Sequence, residues 1–72
     1  MHLIEMWSSD RARSEAQVRI PSGPGFTKEQ AATIERLELW GTSFKDPGPD
    51  YCLFKAFGID GVQVATRRVA GY

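Results

Sequence analysis

The sequence predicts an α+β domain: mainly an antiparallel sheet of four to five strands with one short helix, in the order β-β-α-β-β-β. Three observations predict it. Short apolar runs of strand length recur along the chain, a single stretch carries the chemistry of a helix start, and Pro/Gly clusters plus one hairpin signal separate the runs.

Residues 2–7 hold Leu3, Ile4, Met6 and Trp7 around Glu5, an apolar run that suits a strand and is too short for a helix. Ser8-Ser9-Asp10 is a turn cluster. From Arg11 to Ile20 the chain reads either as a second strand or as a short helix from Asp10, and the period-two alternation of Ala16-Gln17-Val18-Arg19-Ile20 favours the strand. Pro21-Ser22-Gly23-Pro24-Gly25 is the densest breaker cluster and predicts a loop.

Thr27-Lys28-Glu29-Gln30 has capping-box spacing: the Thr hydroxyl can accept the Gln30 N–H while the Gln side chain reaches back to the Thr backbone. Ala31, Ala32 and Ile34 offer an apolar side, and Glu29 lies in the first turn, where the helix dipole favours an acid. A helix of about two to three turns is expected, giving way to a strand near residue 35, where Leu37 and Leu39 alternate with Glu38 and Trp40. Lys45-Asp46-Pro47-Gly48-Pro49-Asp50 predicts a second loop. Tyr51 to Phe57 is the most apolar strand, and Asp60-Gly61 joins it as a hairpin to the strand from Val62 to Val69.

The chain has 72 residues, 42% of them hydrophobic and 25% charged, which bounds it to one globular domain. A core this small is marginal by itself and calls for a further stabiliser. Cys52 is the only cysteine, so no internal disulfide forms, and His2 lies fifty residues from it with no ligand pair beside either, so no metal or other cofactor is expected. Self-association remains, and a homo-oligomer, a dimer above all, is the expected partner state. Nine basic residues balance nine acidic ones with the signs interspersed, which disfavours nucleic acid. The N-terminal apolar run is too short for a signal peptide or a membrane span, and with one free thiol the expected compartment is the cytoplasm.

The strand over 51–57 bears on function. One face carries Cys52, Phe54 and Ala56, the other Tyr51, Leu53, Lys55 and Phe57, so apolar side chains point both ways and both faces want cover. With one short helix to bury one face, the other must close on itself, meet a partner or remain as a binding patch. Trp40, Phe44, Tyr51, Leu53 and Phe57 are therefore the candidate interface or ligand residues, with Asp46 and Asp50 as polar anchors beside them.

No catalytic residue is predicted. Cys52 and His2 lack the spacing of a nucleophile and base, and a lone mid-strand Cys is ordinarily a small buried hydrophobe. Asp46 and Asp50 have the acids of an acid–base pair or an oxygen site for a hard cation, but Asp beside Pro and at loop ends ordinarily bonds nearby backbone N–H groups. Neither Gly-containing loop has phosphate-loop spacing. Arg67 and Arg68 with Arg11, Arg13 and Arg19 contain the cations of a single-strand binder beside Trp7 or Trp40, but adjacent strand residues point to opposite faces.

The run Gly41-Thr42-Ser43-Phe44-Lys45-Asp46-Pro47-Gly48-Pro49-Asp50-Tyr51-Cys52, with Val69-Ala70-Gly71-Tyr72 at the end, resembles small uncharacterised bacterial proteins of the kind carried on integron gene cassettes. The resemblance implies a bacterial, cytoplasmic, mobile accessory protein and carries no activity, cofactor or catalytic residue with it.

The expected function is a non-enzymatic, self-associating protein-interaction module, its apolar sheet face meeting a copy of itself or another protein. The alternative is a small-molecule binding protein or minor enzyme with a pocket between helix and sheet, lined by Trp40, Phe44 and Tyr51 with Asp46 or Asp50 as anchor. Single-stranded nucleic-acid binding is the weaker alternative.

Overall fold

The computed structural model describes residues 1–20, 23–41 and 51–70. In chain order they form β1 (His2–Ser8), α1 (Ser9–Ala16), α2 (Lys28–Ala32), β2 (Arg36–Gly41), β3 (Tyr51–Phe57) and β4 (Gln63–Ala70). The strands make one antiparallel sheet in the order β1-β2-β3-β4. The class is thus α+β as the pattern predicts, but with four described strands and two helices.

The strand favoured between Arg11 and Ile20 is the correction. The other reading of that stretch, a helix, is what forms, as α1, because Ala12 and Ala16 recur at helical spacing and are both buried, while Arg11 pairs with Glu15 one turn on. The alternation that favoured a strand falls beyond the helix, where Val18 and Ile20 are exposed. Two carbonyls there, of Val18 and Ala16, accept the Gly25 and Phe26 N–H groups and turn the chain back under α1.

Helix α2 starts where the capping box places it. Thr27 Oγ1 accepts the Gln30 N–H at 3.1 Å, and Gln30 Oε1 accepts the Thr27 N–H at 3.0 Å. It spans five residues, shorter than expected, because Thr33 donates its hydroxyl back to the Gln30 carbonyl and the chain turns there to send Ile34 into the core. The change to strand near residue 35 follows: Glu35 donates its N–H to the Phe57 carbonyl and β2 begins at Arg36.

The β3–β4 hairpin closes at Asp60-Gly61. Gly61 adopts φ +79°, a left-handed conformation that only glycine takes cheaply, and donates to the Gly58 carbonyl, while Asp60 Oδ1 accepts the Val62 N–H.

Both helices lie on one side of the sheet. The core between them holds Ala12, Ala16, Phe26, Ala31, Ile34, Leu37, Cys52, Phe54, Ala56 and Val69. Trp7 packs against it, its ring stacked 6.5 Å from that of Phe54.

The junction of α1, α2 and β2 is polar. Arg13 donates to the Ile34 carbonyl, to Glu35 and to Asp10, and Ser9 donates its hydroxyl to the same Glu35. The Asp10 and Glu35 carboxylates hold the Arg13 guanidinium above its ordinary value. Ser9 sits at φ +53°, an unfavourable conformation for a residue with a Cβ, and its bonds to Glu35 offset that cost.

Ile4 folds over the strand at Gly41, where a Cβ would lie 2.5 Å from Ile4 Cδ1, the far end of a partly exposed side chain. The same stretch of β1 carries an irregularity between Leu3 and Glu5, a bulge that fits one extra residue into the pairing with β2.

Candidate functional site: the helix-free face of the sheet

Residues paired across an antiparallel ladder share a face, so the register maps the side away from the helices. Trp40 pairs with Leu3 on one side and Leu53 on the other, and Leu53 pairs with Arg68. The next row runs Met6, Glu38, Lys55, Thr66, and the next Ser8, Arg36, Phe57, Gln63. Tyr51 sits at the end of β3 on the same side. Along β3 the alternation is complete: Cys52, Phe54 and Ala56 are buried, whereas Tyr51, Leu53, Lys55 and Phe57 are half-buried.

Four of the predicted site residues are thereby brought together: Trp40, Tyr51, Leu53 and Phe57 share the helix-free face. Phe44, Asp46 and Asp50 lie outside the described residues, as does most of the run that carries the integron-cassette resemblance. The face also includes residues that sequence reasoning did not single out. Leu3 and Met6 on β1 are 46% and 51% exposed and extend the apolar strip beyond Trp40 and Leu53.

The cations on this face are stacked on its rings. Arg68 lies 4.0 Å from the Tyr51 ring centroid, Arg36 4.3 Å from that of Phe57, and Lys55 4.6 Å from that of Trp40. Glu38, mostly buried, accepts the Trp40 indole N–H at 2.8 Å and lies 3.1 Å from Arg36 Nε. That second approach is an ion pair without hydrogen-bond geometry, and it leaves the buried Arg36 Nε–H without a bonded acceptor. Among the described residues the face therefore carries Arg36, Lys55 and Arg68 against the carboxylate of Glu38.

The helix side is different in kind. Between α2 and β4 runs an open groove of about 340 Å³ lined by Phe26, Ile34, Val64 and Ala65, with Glu29, Gln30 and Thr33 on its rim. The pocket expected between helix and sheet thus has other walls: Trp40 and Tyr51 point away from it, because both occupy strand positions of the opposite parity. Arg67 and Arg68 part as adjacent strand residues must, Arg67 stacking on Phe26 on the helix side.

Cys52 is buried on the helix side. It shares a row with His2 through Gly41, two strands away, and Ile4 folds over Gly41 between them. Among the described residues no group of three or more His, Cys, Asp or Glu side chains is placed to hold a metal ion, and no helix is long and apolar enough to cross a membrane.

Comparison with protein-family models, with curated proteins and with solved structures finds no match to this chain.

Proposed function

We propose that the protein is a non-enzymatic interaction module that self-associates, a second copy covering the helix-free face of its sheet. The observation that carries this reading is the strip Leu3, Met6, Trp40 and Leu53, with Tyr51 and Phe57 at its ends, on a face that no described element covers. A small domain gains stability by burying such a strip, and a two-fold contact lets one surface serve both partners.

The size of the face sets the strength. Four strands about 4.8 Å apart and roughly seven residues long span roughly 19 by 23 Å, which places two such faces toward the low end of specific interfaces. The assembly is therefore weak and concentration-dependent. The chemistry of the face suits contact better than catalysis, since its carboxylate is already shared between an indole N–H and a guanidinium.

Sedimentation equilibrium over a wide concentration range tests the reading. The expected result is a monomer–dimer equilibrium that Leu53→Glu abolishes while circular dichroism stays native. A chain that is monomeric throughout, or a dimer that Leu53→Glu leaves intact, overturns it.

A further inference from the structure

We infer that the helix-free face also binds single-stranded nucleic acid, in competition with the second copy. The inference rests on the reading of that face as the working surface and adds a ligand class to it.

The argument begins with charge. The chain as a whole is neutral, and interspersed signs in the sequence argue against a polyanion. The register sorts those signs. Arg36, Lys55 and Arg68 fall on one face with only Glu38 opposing them among the described residues, while Asp10, Glu15, Glu29 and Glu35 lie on the helices or their junctions with the sheet. Among the described residues the face is thus cationic, although the molecule as a whole is neutral. A phosphate backbone complements a face of that sign and competes there with the apolar contact a second copy makes.

Aromatic placement supplies the rest. Trp40 is on β2 and Tyr51 and Phe57 are on β3, the two central strands of the sheet, where the half-buried rings would be reached by a chain crossing the strands once the cations stacked on them move aside. Each ring has its own cation within 4.0 to 4.6 Å of its centroid. Such a pair contains both parts of a nucleotide site: a π-face on which any base stacks, and a long flexible cation that can swing from the ring to the phosphate. The Arg68–Tyr51 contact, with Arg68 exposed, is the one that exchanges most cheaply for base stacking and a phosphate contact; Arg36 is also ion-paired to Glu38 and is held more firmly. Recognition of this kind reads no sequence and excludes a rigid duplex, whose bases cannot lie flat on the sheet.

The experiment is a fluorescence-anisotropy titration of a labelled 12-nucleotide oligothymidylate between 25 and 200 mM KCl, with sedimentation of the same mixtures. Three phosphate contacts predict a slope of log K against log salt near about −2, falling by about 0.7 in Lys55→Gln or Arg68→Gln. Tyr51→Ala should weaken binding about 5- to 100-fold, while Arg11→Gln, on α1, leaves it unchanged. Added oligonucleotide should convert dimer to monomer.

Binding with these properties but no dimer at any concentration supports the inference and removes the self-association reading. A dimer with no saturable binding at 25 mM salt overturns the inference and keeps that reading. Equal displacement of the oligonucleotide by inorganic polyphosphate at matched charge also overturns it, since stacking would then contribute nothing.

Discussion

The two faces of this sheet are made from the same strands by the same alternation, yet they are built to different ends. On the helix side the strands present Leu37, Phe54, Ala56 and Val69, residues without charge that α1, α2 and the Phe26 segment cover. On the other side, one residue along each strand, they present Trp40, Leu53, Phe57 and three stacked cations. The first face is apolar at its covered centre, with Arg67 at its border on Phe26; the second mixes apolar side chains and charge throughout. A period-two strand can serve folding on one side and contact on the other with no compromise at any single position.

The comparison breaks first at its most extreme pair. Phe54→Ala, at a ring only 5% exposed and stacked with Trp7, should cost about 3–5 kcal/mol and leave little folded protein in a urea titration. The neighbouring Leu53→Ala should change the urea midpoint far less but weaken the dimer. If the two variants behave alike in both assays, the faces are not functionally distinct.

A smaller effect is expected where β1 crosses β2. Gly41→Ala meets only the far end of the partly exposed Ile4 side chain, which can move aside, so it should cost at most about 1 kcal/mol, and a double-mutant cycle with Ile4→Ala measures the coupling. Thr27→Ala removes one half of the capping box and should cost about 1 kcal/mol on the helix side, with no effect on sedimentation.

The least effect is expected at Arg13, whose ion pairs are solvent-accessible. Its guanidinium is held above an already high value, so the stabilisation is present at any pH below the unfolded pKa and is lost only as pH rises through the folded one. Arg13→Gln should therefore lower Tm by the same amount at pH 6 and pH 9. A difference between the two would assign the effect to another group.

Much of the fold was legible because its signals are local. The capping box needs four residues, the Asp60-Gly61 turn needs two, and the two-sided character of β3 is written in seven consecutive positions. Helix α1 was legible only as the less favoured of two readings, for the opposite reason: its identity depends on Ala12 and Ala16 being buried together, while the period-two pattern just beyond it is louder and means nothing once Val18 and Ile20 face solvent. The candidate site divides in the same way. Tyr51, Leu53 and Phe57 follow from alternation within one strand. Arg36, Glu38 and Arg68 belong to the site only through the pairing of β2 and β4 with β3, and register across a sheet is a property of the folded molecule rather than of any segment.

The bulge in β1 also bears on the molecule's fate in a crowded solution. A flat sheet whose two outermost strands are both regular invites further chains to add at its borders, growing toward fibrils. Here one border is bent between Leu3 and Glu5, and the other carries Arg67 and Arg68, one charge toward each face. A protein with a partly apolar open face can stay dispersed on these terms, because growth along the borders of its sheet is obstructed at both ends.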